Sequence, residues 1–211
     1  MQSLHNITLD HIFITSKTPS KKLMVILHGR GDSSQGFRWM PQALDIDEMN
    51  YLLLDAPYSY FTGRSWYDLP PNQLEGISYS SGILTDIFDT LFESKFNAEE
   101  SFLFGFSQGS LLTLEFGARY KKKLAGYLAI SGYTLDPELL LKEMNPKLKN
   151  ANWLSTHGES DAILPFITSK AQVEILQKGG LPIEFKAYDK DHTIVEEELR
   201  MIKQWIVDKL S

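Results

Sequence analysis

The stretch "SFLFGFSQGSLLTLEFGARY", residues 101–120, starts apolar, turns on two glycines around one serine, and continues in helix-forming residues. An apolar strand, the pentapeptide Gly105-Phe106-Ser107-Gln108-Gly109 and a helix make the pattern of a nucleophile elbow. The chain turns so sharply there that the positions two before and two after the serine have no room for a Cβ, and both are glycine. Such a turn lifts the serine hydroxyl above the sheet, at the N-terminus of the next helix, where unpaired N–H groups favour developing negative charge. Taken alone, the pentapeptide also fits a plain helix cap, because serine is a favoured N-cap residue. The rest of the chain has to separate the two.

Apolar or alternating runs suited to strands recur at 9–15, 23–28, 50–56, 101–105, 124–131, 152–157 and 182–188. Helical patterns fall between most of them, near 33–44, 77–95, 108–120, 137–144, 166–178 and 194–209. The last carries Ile194, Leu199, Ile202, Ile206 and Leu210 at helical spacing. Near-continuous apolar strands alternating with helices predict an α/β fold whose mostly parallel central sheet is covered by helices on both faces. In such folds chemistry collects at the carboxyl ends of the strands. Here those ends lead into "HGRGD" (28–32), "PYSYFTGRSWYDLPP" (57–71), Ser107, "GESDAILP" (158–165) and "DKDHT" (189–193), where the polar residues gather.

The 211 residues fit a single domain, with no linker, repeat or low-complexity tract to divide them. Twenty-one basic and 27 acidic residues leave a formal charge of −6, which argues against a nucleic-acid surface. The one basic run, Lys121 to Lys123, lies at a predicted helix end, where cations complement the dipole. The absence of cysteine excludes disulfides, thiolate metal sites and a cysteine nucleophile. The first residues, "MQSLHNITLDHIF", do not read as a signal peptide, and no window approaches a membrane span. The reading is of a cytoplasmic protein with no stable membrane insertion; a homodimer stays open.

A serine hydroxyl is a poor nucleophile at neutral pH and needs a base, usually a histidine held by a carboxylate. After an elbow of this type the chain order is serine, acid, histidine. Only His157 and His192 follow Ser107. His157 ends a strand, a place suited to packing or a backbone hydrogen bond, whereas His192 lies in the loop after the last strand and can reach over the serine. For the acid, Asp161 in the loop after the penultimate strand is preferred over Asp136, Glu159, Asp189 and Asp191. His5, His11 and His28 precede the serine and read as ordinary surface or structural residues, and Asp32 reads as a cap for the helix beside it.

With Ser107, Asp161 and His192 in order, the chain resembles the phospholipase/carboxylesterase family of α/β-hydrolases, which includes acyl-protein thioesterases. Four segments carry the resemblance across the whole chain: "LHGRGD" (27–32), "SWYD" (65–68), "GFSQGS" (105–110), and "HGESDAILP" (157–165) with "DH" (191–192). It implies a serine hydrolase acting on small-molecule carboxylic esters or thioesters through an acyl-enzyme, with no cofactor and no metal. It also implies an oxyanion hole from the backbone N–H groups of Arg30 and Gln108. Arg30 departs from the apolar residue of many relatives; its guanidinium either favours an anionic substrate or points to solvent. Ser110 replaces a glycine and bears on how closely the helix packs. The resemblance puts Trp66, Tyr67 and Asp68 beside the substrate, and with Tyr58, Tyr60 and Phe61 the aromatics of this loop suit a shallow groove for short-to-medium acyl chains, or equally a packed surface loop. Two other classes remain: a non-catalytic ligand-binding protein of the same fold, and a lyase or transferase using the same serine.

Overall fold

The computed structural model describes residues 7–210. Nine strands and six helices follow in the order β1 (His11–Ile14), β2 (Leu23–Leu27), α1 (Met40–Leu44), β3 (Asn50–Leu54), β4 (Tyr58–Tyr60), β5 (Gly63–Ser65), α2 (Gln73–Ser94), β6 (Ser101–Phe106), α3 (Gln108–Arg119), β7 (Gly126–Ile130), α4 (Pro137–Glu143), β8 (Trp153–Gly158), α5 (Phe166–Lys178), β9 (Ile183–Tyr188) and α6 (Glu196–Leu210). Seven strands form one sheet in the order β1-β3-β2-β6-β7-β8-β9, parallel except for the antiparallel edge strand β1. This is the α/β architecture expected, with β6 at the centre of the sheet and Ser107 immediately after it.

Alternation along the strands sorts the core into two layers. Leu23, Val25, Leu27 and Leu103 face one side and pack with Leu84, Phe88, Leu111 and Leu176 of the helices α2, α3 and α5. Met24, Ile26, Phe102 and Phe104 face the other and pack with Met40, Leu44, Ile202 and Ile206 of α1 and α6. Because both faces are covered, all five residues of β2, β3 and β7 are buried, which is why these strands read as continuous apolar runs.

Three segments depart from the sequence reading. The helix near 33–44 is instead a 3-10 turn (Ser34–Phe37) followed by α1, which starts at Met40 and carries Pro41 in its first turn. Helix α2 starts at Gln73, four residues before the expected 77. The loop 57–71 contains a hairpin, β4 paired antiparallel with β5 through Phe61 and Thr62, with Phe61 at φ 49°. No helix among the described residues is long and apolar enough to cross a membrane.

Candidate active site

The elbow glycines are required by contact. A Cβ on Gly105 would meet the Gly109 carbonyl oxygen at 2.0 Å, and one on Gly109 would meet the Leu27 carbonyl oxygen at 2.2 Å. Ser107 itself sits at φ 55°, ψ −114°, a left-handed conformation that a non-glycine residue adopts only when its surroundings impose it. Its N–H donates to Ile130 O at 3.0 Å, which ties the turn to β7. Ser107 therefore caps α3 in position only: its side chain makes no cap hydrogen bond and is left for other partners.

Those partners come from the far end of the chain. His192 Nε2 is 3.0 Å from Ser107 Oγ, and His192 Nδ1 is 2.7 Å from Asp161 Oδ2. Asp161 Oδ1 accepts the N–H groups of Ile163 at 2.9 Å and Leu164 at 2.8 Å, so the carboxylate is fixed by its own loop. Burial opposes ionisation of Asp161, but the Leu164 N–H, the His192 ring and the Ile163 N–H outweigh it and hold the carboxyl below its ordinary range. The Phe106 ring lies 4.9 Å from the His192 ring and shields one of its sides. Of the acids weighed, Asp161 is the one brought to His192; Asp136 caps α4 instead, accepting from Glu138 and Leu139 N–H.

His157 has the backbone bond expected of it, with Nε2 at 2.8 Å from Leu164 O, and the same nitrogen also lies 3.3 Å from Asp161 Oδ2. Burial lowers its pKa. His28 is structural too: Nδ1 donates to Gly29 O at 2.6 Å while Nε2 accepts the Ala56 N–H at 3.1 Å, and burial holds it neutral. His11 bonds Leu9 O, and His5 lies outside the described residues. Asp32 accepts the Ser33 N–H at 2.7 Å and Asp55 accepts the Ser34 N–H at 2.5 Å, so two acids share the start of the 3-10 turn.

The segment 65–67 braces the site from below. Gln108 Oε1 accepts the Trp66 N–H at 3.0 Å and Gln108 Nε2 donates to Tyr67 O at 2.8 Å. Trp66 Nε1 donates to His28 O at 2.9 Å, fixing the loop that carries Arg30. Trp66 and Tyr67 are 0% and 1% exposed, so their rings belong to the core and do not line an open groove. Phe61, at the hairpin tip, is 90% exposed. The backbone N–H groups of Arg30 and Gln108 donate to no other group among the described residues. Ser110 packs into space that Gly132 leaves, since a Cβ there would meet Ser110 Oγ at 2.2 Å. Lys121 of the basic run pairs with Asp89 at 2.6 Å.

Sequence reasoning missed what holds the His192 loop. Lys190 and Glu198 form a fully buried ion pair at 2.6 Å. Lys190 Nζ also donates to Thr193 O at 2.7 Å and reaches Ser131 Oγ at 3.3 Å, while Glu198 accepts from the Thr156 hydroxyl and the Val195 N–H. The loop is thus fastened on both sides of His192, to β8, α6 and the end of β7. A lysine two residues before a loop histidine gives no pattern from which such burial is legible.

A profile of the phospholipase/carboxylesterase family matches residues 9–210. The carboxylesterase SOBER1 of Arabidopsis thaliana is 28% identical over 210 residues, covering 91% of this chain and 92% of its own. Acyl-protein thioesterase 1 of Debaryomyces hansenii is 27% identical over 216 residues, covering 92% of this chain and 93% of its own. The crystal structure of SOBER1 superposes with a TM-score of 0.83 at 26% identity, covering 92% of this chain and all of that one.

Proposed function

The chain belongs to the phospholipase/carboxylesterase family, and on that premise we propose that it hydrolyses carboxylic esters or thioesters through Ser107, His192 and Asp161. The observation that carries this reading is the unbroken line from Ser107 Oγ to His192 at 3.0 Å and from His192 to Asp161 at 2.7 Å, on an elbow whose serine side chain makes no cap hydrogen bond.

The hydroxyl of Ser107 attacks the acyl carbonyl while His192 Nε2 takes its proton. Asp161 keeps the other ring proton on Nδ1 and stabilises the imidazolium that forms. The tetrahedral oxyanion accepts hydrogen bonds from the N–H groups of Arg30 and Gln108, each worth about 2.7–4 kcal/mol in the transition state. His192 then gives its proton to the departing alkoxide or thiolate, leaving the acyl group on Ser107. A water molecule, deprotonated by His192, attacks that acyl-enzyme; the acid departs and the proton returns to Ser107.

A fluorophosphonate probe followed by peptide mass mapping tests the assignment. The expected result is one adduct on Ser107, absent from Ser107→Ala, together with release of free acid from p-nitrophenyl butyrate and a butyryl thioester. A folded protein that takes no probe and turns over neither compound is a ligand-binding module. Labelling with transfer of the acyl group to another acceptor, and no free acid, makes it a transferase.

A further inference from the structure

We propose that the Arg30 guanidinium selects substrates, recognising a carboxylate on the acyl part of the ester, so that monoesters of short dicarboxylic acids are preferred over neutral esters of the same length. The inference rests on the hydrolase reading above.

Arg30 stands one residue from the elbow. A Cβ on its neighbour Gly29 would meet Ser107 Cβ at 3.3 Å and the Phe106 ring at 3.1 Å, so the 28–30 backbone is pressed against the nucleophile. The side chain does not trail into solvent: its Cζ lies 4.1 Å from the centre of the Tyr60 ring, in the hairpin that covers this loop. Stacking of this kind holds the guanidinium plane while leaving its N–H edge free for an in-plane acceptor.

That acceptor is missing. Arg30 Nε is buried and without a hydrogen-bond partner, and among the described residues the guanidinium makes no ion pair. The contrast with the other arginines is direct. Arg38 bonds Gln35, Arg64 bonds Asp10, Arg119 bonds Glu115 and Glu143, and Arg200 bonds Glu196. The nearest acid in sequence, Asp32, is engaged by the Ser33 N–H. Among the described arginines Arg30 alone has a buried guanidinium nitrogen without a hydrogen-bond partner, and it follows the glycine packed against Ser107. An unmet buried donor costs free energy unless a ligand supplies the acceptor, and a carboxylate matches the guanidinium fork with two parallel hydrogen bonds.

The same residue fixes where that carboxylate belongs. With the Arg30 N–H on the carbonyl oxygen, the guanidinium is one side-chain length away, a span suited to succinyl or glutaryl esters. A longer chain carries its terminal carboxylate past the fork.

The test compares kcat/KM for ethyl hydrogen glutarate with that for ethyl pentanoate. The ratio cancels any change that a substitution makes at the backbone N–H of the same residue. In the wild type it should favour the anion about tenfold at low salt, the size of one charge-assisted hydrogen bond, and decline with added NaCl. Arg30→Met should lower the ratio about tenfold; Arg30→Lys should keep part of it, having the charge without the planar fork. A wild-type ratio at or below one, or a ratio that Arg30→Met leaves in place, overturns the proposal. A preference for O-acetylglycolate over ethyl acetate, with none for the glutarate ester, moves the carboxylate to the leaving group and overturns the acyl-side assignment. Calorimetric binding of ethyl hydrogen glutarate to Ser107→Ala, abolished by adding Arg30→Met, reads the same contact without turnover. Intact Arg30-dependent binding beside an inactive wild type means that the hydrolase reading has failed and the carboxylate site has not.

Discussion

Two loops flank Ser107, and they are held in opposite ways. On the β9 side, the loop that presents His192 is fastened by a fully buried ion pair, Lys190 to Glu198, with Thr193, Ser131, Thr156 and Val195 as further partners. On the β3 side, the hairpin rests its base on the Arg30 loop, where a Cβ on Gly63 would strike the Gly31 carbonyl oxygen at 2.0 Å, but its tip carries Phe61 at 90% exposure with an edge contact to Tyr60. On the proposed mechanism the group that moves a proton over a fixed distance is the over-determined one, whereas the hairpin tip proposed to meet the acyl chain is free to vary. Buried polar pairs serve the first purpose because breaking one leaves an uncompensated charge. An exposed tip costs little to alter, which suits the second.

The largest effect should come from the part of the fastened side that touches chemistry. Asp161→Asn keeps the shape of the loop but presents the wrong hydrogen-bonding group to His192 Nδ1, so kcat should fall on the order of 10⁴-fold while circular dichroism stays native. Asp189→Asn and Asp191→Asn should each change kcat by less than about threefold, being surface substitutions away from the ring. The reverse ranking would show that another carboxylate orients the histidine.

Next in size is the ion pair. Lys190→Met strands the Glu198 carboxylate and should destabilise the protein by about 3–5 kcal/mol, lowering the melting temperature by roughly 10 °C. Adding Glu198→Gln removes the stranded charge but keeps an acceptor for Thr156 and Val195, so the double variant should recover at least half of the loss. If the single variant melts like wild type, the two loops are not held differently and the contrast drawn above fails.

The strands and the elbow were legible because their causes are local. Apolar runs record two-sided burial, and the glycines of Gly105-Phe106-Ser107-Gln108-Gly109 record contacts with Gly109 and Leu27 backbone. Chain order and loop position were enough to pick Asp161 and His192 for the partnership whose distances are now seen. What composition could not tell was the burial of loop residues. The resemblance put Trp66 and Tyr67 beside the substrate and composition left a groove or a packed surface loop equally open; hydrogen bonds to Gln108 and His28 hold both in the core. The hairpin escaped notice because its two-residue turn is Phe61-Thr62, without the glycine or asparagine that marks such turns. The Lys190–Glu198 pair was not legible because its partners lie eight residues apart, one in the loop and one in the first turn of α6.

A smaller effect is read by pH. Burial lowers the pKa values of His28 and His157 below the ordinary 6.5, so the unfolded chain binds protons there that the folded protein refuses. Stability should therefore be full above about pH 6.5 and decline as pH falls toward the folded values. Asp161, held below its ordinary 3.8, contributes stability that is present above that value and is lost only as pH falls through its lower folded value. Urea unfolding from pH 8 to pH 3 should show the decline beginning near 6.5. His157→Gln should flatten its upper part, and an unchanged slope in that variant would assign the decline to other groups.

The smallest effect belongs to the open side. Phe61 occupies a left-handed position, φ 49°, that disfavours any side chain, and its ring leans on Tyr60 at 4.7 Å between centroids. Phe61→Gly relieves the backbone by roughly 1–2 kcal/mol and gives up an aromatic contact worth about 0.5–1.5 kcal/mol, so the melting temperature should move by no more than about 4 °C in either direction. Function should register the change more clearly than stability. If the tip supplies apolar surface to an acyl chain, each buried methylene gains up to about 0.8 kcal/mol, and kcat/KM across p-nitrophenyl esters should rise from acetate to a peak at short-to-medium length. Phe61→Gly should then lower the octanoate-to-acetate ratio severalfold. A ratio that does not change would mean that the chain lies elsewhere along the site, and a wild-type peak at palmitate would require a far deeper channel than an exposed hairpin tip can wall.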